Sequence, residues 1–163
     1  MPEILEIPGN MIDLLDRKIL DQMQENSNLS ADEIAQRVGA SRSSVQRRIQ
    51  QLRDAGLIER EAVQVSPALA GSYMTFIVEV ELERERVDLL DEFRRSMRAL
   101  PQVQQCYYVT GHTDFVVIVL AEDMLQYEKL SRQVFTENPN IRRFHTNVVV
   151  DRVKVSLKVP LSQ

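Results

Sequence analysis

A short stretch around Val45 is rich in arginine and free of acidic residues. Between Ser41 and Arg53 the chain has four arginines and no Asp or Glu. At ~100° per residue in a helix, Val45, Ile49 and Leu52 lie on one side and form a buried stripe. The residues that then face outward, or flank that face, are Arg42, Ser43, Gln46, Arg47 and Gln50. Because Arg pairs with guanine and Gln with adenine in the major groove, this face has the chemistry to read DNA bases.

The competing interpretation of this face is a solvated polar surface, which any surface helix shows. Arg48 is a special case, because its angle places it close to the buried stripe, where packing or a salt bridge competes with a phosphate contact. Arg17 and Lys18 also have two alternative roles. They either contact DNA backbone phosphates or only keep the surface of the first helix solvated. The spacing of the neighbouring helices favours DNA as the partner of the outward face.

Two further helices precede the arginine-rich stretch. Apolar residues three or four apart predict a helix over roughly 12–25. Ser30 and Glu33 have the spacing of a capping box and start a second helix. Gly39 ends that helix, because a helix terminus favours a residue that tolerates the left-handed conformation.

A third helix follows so closely that the turn is very tight. Ser41 is its N-cap, and the helix extends to about Asp54 before Gly56 ends it. Residues 57–65 then predict a short β ribbon. Two helices joined by a tight turn, with a helix before and a ribbon after, predict a winged helix-turn-helix domain.

The second half of the chain alternates between strand and helix patterns. In order, they predict a strand at 74–82, a helix at 87–100, strands at 103–109 and 115–121, a helix at 124–134, and one or two strands within 141–159. This β-α-β-β-α-β order is that of a ferredoxin-like sandwich, with an antiparallel sheet and both helices on one face. The fold class is therefore α+β.

The strand at 115–121 is apolar on both faces. Phe115, Val117 and Val119 point one way, and Val116, Ile118 and Leu120 point the other. Two helices on one side cover only one face, so we expect a second copy of the chain to cover the other. Partial cover by the linker and wing of the same chain is the alternative.

A second candidate site is the loop from Thr110 to Asp114, which joins two strands. Free backbone N–H groups near Gly111 can hold a carboxylate, and Asp114 can accept an ammonium group. Together with His112 and Thr113, they match the two ends of a free amino acid. The alternative is a plain turn, with Gly111 supplying a permissive backbone and Asp114 a local side-chain bond.

Three other polar residues are possible neighbours of such a site across a subunit interface. They are Asn138, Asn140 and Thr146. Helix-ending and strand-pairing roles are the competing explanation for each of them.

Composition and charge narrow the class of protein. The 163 residues are 44% hydrophobic and 27% charged, which is ordinary for a soluble globular chain. No run approaches the ~18 apolar residues of a membrane helix. Glu3 and Glu6 stand where a secretory signal has basic residues, and a lone cysteine, Cys106, fits a reducing compartment. We therefore expect a cytoplasmic protein.

The net charge of −4 does not exclude DNA as a partner. Residues 1–65 hold eight basic and eleven acidic groups, whereas 41–53 holds four basic groups and no acidic one. The basic charge is thus concentrated in one helix, which predicts modest non-specific DNA affinity.

Enzyme and metal chemistry find little support in the sequence. His112 and Asp114 are two potential metal ligands, but His145 and Cys106 do not extend them with ligand-type spacing. The chain has no P-loop, nucleophile-elbow or zinc-protease motif. We expect no catalytic residues, no metal and no cofactor other than a small-molecule effector.

Several segments, in order, resemble the Lrp/AsnC, or feast/famine, regulators. They are Ile12–Leu20, Leu29–Ser41, Val45–Leu52, Gly56–Ile58, Ser66–Gly71 and Val109–Asp114. The resemblance implies a transcription factor that forms dimers, often octamers, and responds to amino acids or related molecules. It also implies that the 110–114 loop lies in an effector pocket between dimers. The family often has Gly-Tyr where this chain has Arg60 and Glu61, so the wing differs.

The expected organisation is a DNA-binding domain at 1–65, a linker at 66–72 and an effector-binding and oligomerisation domain at 73–163. The expected function is sequence-specific regulation of transcription on double-stranded DNA. One alternative is an architectural protein that wraps DNA with little sequence preference. Another is an enzyme or its regulatory subunit, which only the ferredoxin-like fold suggests.

Overall fold

Three helices make up the N-terminal part of the chain. The computed structural model describes residues 12–65 and 73–161. Its first elements are α1 (Leu14–Glu25), α2 (Ala31–Val38) and α3 (Arg42–Asp54). All three agree with the predicted helices to within two residues at each end. The predicted linker at 66–72 and the acidic residues Glu3 and Glu6 lie outside the described residues.

Side-chain caps start each of these helices. Asp13 and Asp16 form a capping box at α1, in which Asp13 Oδ1 accepts from the Asp16 N–H at 2.8 Å. Ser30 and Glu33 form the predicted box at α2, and the Ser41 hydroxyl accepts from a first-turn N–H of α3. The caps satisfy backbone N–H groups that a helix start otherwise leaves without partners.

The turn between α2 and α3 depends on Gly39, whose φ of 71° lies in the left-handed region that favours glycine. This turn brings the helices together around a small core. Its buried members are Ile19, Ile34, Ala35, Val45 and Ile49. Leu52 is buried as well, so the predicted buried stripe of α3 is confirmed.

The β ribbon predicted over 57–65 is not found, because these residues form no strand. Val63 and Val65 are exposed. A ribbon needs a second strand to take its backbone N–H and C=O groups, and the described part of this unit offers none. Glu61 instead pairs with Arg53 of α3 at 2.6 Å.

A four-stranded sheet with helices on one side forms the second unit. Its elements are β1 (Met74–Leu82), α4 (Val87–Ala99), β2 (Val103–Tyr108), β3 (Phe115–Ala121), α5 (Met124–Ser131) and β4 (Ile141–Val148). The strand order is β2-β3-β1-β4, and all neighbours are antiparallel. This confirms the ferredoxin-like sandwich.

The core of this unit lies between the sheet and the two helices. On β1 and β3 every second residue is buried, as the period of two in a strand requires. Phe76 of β1 stacks on Tyr127 of α5 with ring centroids 3.9 Å apart, and Phe93 of α4 packs against Phe115 of β3. The remaining face of the sheet carries the half-buried alternate residues.

The end of α5 differs from the prediction of one regular helix. After Ser131 the chain continues as a π-helical turn, Arg132–Thr136. This turn buries Phe135, which packs against Phe144 of β4 at a centroid distance of 5.3 Å. A π turn contains about one more residue than an α-helical turn. The extra residue changes the direction of the side chains that follow, so regular α-helical spacing does not predict the buried position of the Phe135 ring.

The C-terminal segment also differs from the prediction of strands up to Val159. Residues 149–161 form no strand beyond β4, and apolar Leu157 is 73% exposed. Alternating apolar residues form a strand only when they pair with the edge of another strand, and in the described chain this segment pairs with no strand edge.

The chain divides into two compact units, and the residues of each unit contact mainly one another. Among the described residues, the first comprises 12–63 with 155–161, and the second comprises 64–65 with 73–154. Residues 155–161 thus group with the N-terminal helices, although the predicted division assigned them to the second domain. No helix in the described ranges has the length and apolar character needed to cross a membrane.

Candidate functional sites

The five outward residues predicted on α3 share one exposed surface. Arg42, Ser43, Gln46, Arg47 and Gln50 are all exposed. They form one wall of an open concavity of about 580 Å³, whose other wall includes residues of α1 and of the turn before α2. The buried stripe on the opposite side of α3 is what turns these side chains outward.

Arg48 takes the salt-bridge role rather than an outward one. Its Nη1 donates to Asp13 Oδ2 at 2.7 Å and to Asp16 Oδ1 at 2.8 Å. The Arg48 side chain is 22% exposed and that of Asp16 only 11%. The pair therefore ties the middle of α3 to the start of α1.

The charged state of this pair is favoured by its surroundings. The pKa of Asp13 lies below its ordinary value of 3.8, mainly because the Asp16 N–H donates to the carboxylate and also because Arg48 is adjacent. The two carboxylates, Asp16 foremost, raise the pKa of Arg48. A carboxylate with a lowered pKa stabilises the fold above its ordinary pKa, and that contribution is lost as pH falls through the lowered value. The bridge is thus intact at neutral pH.

The other arginines of α3 differ in their partners. Arg42 lies 3.4 Å from Asp32, and Arg53 pairs with Glu61 at 2.6 Å. Arg47 donates to the neutral side chain of Gln51 and forms no ion pair with any residue in 12–65 or 73–161. Three of the four arginines thus have acidic partners, which a count of charge between residues 41 and 53 alone does not show.

The loop at 110–114 has an inner and an outer half. Gly111 has a φ of 129°, and both it and His112 are exposed. Thr113 and Asp114 are half-buried and bind β1: the Thr113 hydroxyl donates to the Val80 carbonyl at 2.7 Å, and Asp114 Oδ2 accepts from the Leu82 N–H at 2.6 Å.

These bonds hold the loop at the end of β1, where the pairing with β4 shifts register. The Asp114 side chain thus bonds to β1, 32 residues away in sequence, and not to a neighbour within the turn. Its other oxygen, Oδ1, has no hydrogen bond to the described residues. The four predicted residues are therefore contiguous, with two committed to positioning the loop and two facing outward.

The three polar residues considered as neighbours of this loop have hydrogen-bond partners within the chain. Asn138 Oδ1 accepts from the Asn140 N–H at 2.9 Å, and Asn140 binds both backbone groups of Arg84. The Thr146 hydroxyl bonds to that of Tyr127. Asn138 thus stabilises the turn after the helix, Asn140 joins that turn to Arg84, and Thr146 is paired in β4 opposite Val78.

A second concavity, of about 470 Å³, lies between α4 and the turn before β4. Its lining includes Leu89, Phe93, Val134 and Asn138 and no residue of the 110–114 loop. No local signal in the sequence marks this concavity, because its walls come from segments that are far apart along the chain.

Cysteine and metal chemistry are limited in the described ranges. Cys106 is half-buried against the core, and burial raises its pKa to about 11, which keeps the thiol protonated. Across residues 12–65 and 73–161, no group of three or more His, Cys, Asp or Glu side chains is placed to hold a metal ion.

A helix-turn-helix unit followed by a ferredoxin-like unit is the architecture of a two-domain DNA-binding regulator. Residues 12–59 match the family model of a winged helix-turn-helix DNA-binding domain. Residues 75–159 match that of the Lrp/AsnC ligand binding domain. The chain therefore belongs to the Lrp/AsnC family, which consists of transcriptional regulators and not of enzymes.

Individual relatives agree with this assignment. The chain is 44% identical to an HTH-type transcriptional regulator of Sinorhizobium fredii over 98% of this chain and 94% of that protein. It is 29% identical to the leucine-responsive regulatory protein of Escherichia coli over 91% of each. It is also similar to the solved structure of a transcriptional regulator from Neisseria meningitidis in complex with L-Met. That likeness has a TM-score of 0.85 and 29% identity and covers 92% of this chain and 97% of the other.

The adjacent arginines of α3 give a matched test of structural and functional roles. We expect Arg48→Met to lower the free energy of unfolding by about 1–3 kcal/mol, because it leaves the poorly exposed Asp16 carboxylate without its partner. Arg47→Met removes no ion pair, so we expect a change within about 0.5 kcal/mol. Urea unfolding at pH 7, followed by circular dichroism, measures both. Equal destabilisation by the two substitutions would contradict the assigned role of Arg48.

Proposed function

We propose that this regulator reads a specific DNA sequence with the outward face of α3. We propose further that its DNA binding or assembly responds to an amino acid or a related small molecule. The observation that carries the first part is Arg47, an exposed arginine without an acidic partner among the described residues, next to the exposed Gln46. This pair of side chains has the donors and acceptors that distinguish guanine and adenine.

The proposed division of labour along α3 follows from the contacts of each side chain. Arg47 and Gln46 read base edges, with Gln50 beside them. Arg42 and Ser43 stand in the first turn, the part of a recognition helix that enters the groove first. Gln50 donates to Asp54 at 2.8 Å, so it must exchange this bond for one to a base.

The ion pairs of the α3 arginines favour sequence-specific DNA binding over non-specific wrapping of DNA. An architectural protein draws its affinity from many free cations against phosphate. Here three of the four arginines on α3 are paired with acids, and the whole chain carries a net charge of −4. Specificity from a few base contacts fits this distribution of charge better. We propose that the protein acts in the cytoplasm, where its DNA is.

We propose that the protein acts as a homodimer through the open face of its sheet. Val116, Ile118 and Leu120 of β3 alternate with the buried residues, and Ile118 lies opposite Ile77 of β1. These apolar side chains are half-buried, and a second copy would remove them from water. A dimer also presents two recognition helices, which would bind half-sites about one helical turn, or a multiple of it, apart. Assembly of dimers into larger oligomers such as octamers belongs to the same proposal.

The proposed effector site is the loop at 110–114. Backbone N–H groups around the exposed Gly111 and His112 would hold the ligand carboxylate, and the second oxygen of Asp114 would accept its ammonium group. The Neisseria meningitidis relative was solved with L-Met, which supports an amino acid as the class of ligand. A ligand shifts the protein only if it prefers one assembly or conformation over another.

We expect Arg47→Ala and Gln46→Ala each to lose sequence discrimination by roughly tenfold or more, because a good bidentate base contact contributes ~1–3 kcal/mol. Oligomeric state should not change. The measurement is a competition between the operator, selected from random duplexes, and scrambled DNA. Arg95→Ala, which removes an exposed arginine of α4, is the matched control. Unchanged discrimination in both α3 variants would refute their role, and selection without any enriched sequence would favour the architectural alternative.

We expect His112→Ala to weaken the response to the effector by about fivefold or more, because it removes a polar contact to the ligand. His112 is exposed, so its loss should leave folding and basal operator binding intact. Titration of operator binding with a panel of amino acids, starting with L-Met, tests this. Asp114→Ala should weaken the response too, and at the same time lower stability through the lost bond to Leu82. Titration curves identical to that of the parent chain for both His112→Ala and Asp114→Ala would exclude the loop as the ligand site.

We expect Ile118→Lys to convert the dimer to a monomer, because a charge replaces an apolar side chain at the centre of the open sheet face. Val87→Lys, at an exposed valine of α4, is the control and should leave the dimer intact. Sedimentation velocity at micromolar concentration measures the mass of each species. A persistent dimer of Ile118→Lys would place the interface elsewhere.

A further inference from the structure

The segment Val155–Leu161, here called the C-terminal strap, lies along α1. The Val159 N–H donates to Gln24 Oε1 at 2.7 Å, and Gln24 Nε2 donates to the Val159 carbonyl at 2.9 Å. Lys158 pairs with Glu25. Arg17 donates to the Leu161 carbonyl at 3.3 Å. The strap thus runs antiparallel to α1, from its C-terminal end toward its N-terminal end.

The contact with Gln24 is a specific recognition of backbone. One side-chain amide takes both the N–H and the C=O of Val159, which are the groups that a neighbouring strand would otherwise pair. Arg17 and Gln24 are seven residues apart and therefore lie on the same face of α1. The strap follows that face over about two helical turns.

Docking of the strap depends on polar contacts with little burial. Leu157 is 73% exposed and Val159 is 57% exposed. Hydrogen bonds and an ion pair at the surface each add only modest stability. A segment held in this way can dock and release without unfolding the helices beneath it.

The strap follows β4 in sequence and contacts α1, which lies more than 100 residues earlier in the chain. On one side, the Val149 N–H still donates to the Thr75 carbonyl of β1, and five residues, 150–154, then lead to the strap. On the other side, Arg17 directly follows Asp16, whose carboxylate holds Arg48 of α3. The strap therefore ends one residue away from the ion pair that positions the recognition helix.

We propose that the C-terminal strap couples the ligand-binding unit to α3. In this mechanism, the state of the ligand-binding unit acts through 150–154 on whether the strap is docked on α1. Docking in turn stabilises α1 and the Arg48 bridge, and so the placement of the base-reading face. The regulatory part rests on the proposed function, whereas the effect of the strap on α1 and α3 does not.

The first experiment measures hydrogen exchange in the parent chain, in two variants and in a control. We compare Gln24→Ala and a chain ending at Lys154 with the control Gln36→Ala, which changes an exposed glutamine of α2. We expect exchange in α1 and α3 to accelerate by about five- to tenfold in the first two, with β1 and β3 unchanged. Exchange in α3 at the parent rate in Gln24→Ala and in the shortened chain overturns the proposal. The point substitution keeps the test decisive if the shortened chain does not fold.

The second experiment measures coupling, with L-Met as the probe and the selected operator as the DNA. We expect the change in operator affinity caused by L-Met to fall toward one in Gln24→Ala, while Gln36→Ala keeps the parent ratio. An undiminished ratio in Gln24→Ala overturns the coupling role. If the parent chain selects no operator or does not respond to L-Met, that part of the proposed function fails, and hydrogen exchange still decides the role of the strap.

Discussion

The placement of α3 depends on an ion pair that joins it to the start of α1. The apolar stripe of α3 sets which side of the helix is buried, and the bridge from Arg48 to Asp13 and Asp16 anchors the helix along its length. Successive residues on a helix differ by ~100°, so anchoring Arg48 turns Arg47 toward solvent. One arginine thus holds the helix, and its neighbour is available for DNA.

Ion pairs also set how much positive charge α3 presents in this acidic protein. Its carboxylates are placed where they neutralise three arginines of α3, and Arg47 remains without such a partner in the described chain. Long-range attraction to phosphate is thereby small, since it depends on free cations. The proposed hydrogen bonds to bases depend instead on the geometry of single side chains, and Arg47 and Gln46 are both exposed.

The loop at 110–114 likewise has two residues that position it and two that are exposed. Thr113 and Asp114 hold their loop on β1, which leaves Gly111 and His112 exposed. The sheet above which this loop lies has one face covered by α4 and α5 and one face with apolar β3 residues half-exposed. At the proposed effector loop, a bound ligand would lie near the face proposed for assembly and would act on subunit contacts there.

Most of the fold could be predicted from the sequence, because its signals are local. Ser30 with Glu33 starts α2, Gly39 ends it, and the alternation in β1 and β3 marks their buried faces; each signal lies within a few residues. The predictions of a ribbon at 57–65 and of a strand up to Val159 were wrong, because strand-type residues form a strand only when they pair with another strand, and local spacing does not determine that pairing.

What the sequence by itself determined is therefore the set of helices, the order of the strands and the five residues on the outer face of α3. Only the tertiary structure decided which arginine of that helix is structural, because Asp13 lies 35 residues from Arg48. It also decided the docking of Val159 on Gln24, across 135 residues. Contacts at such separations depend on how the chain packs, and no local spacing encodes them.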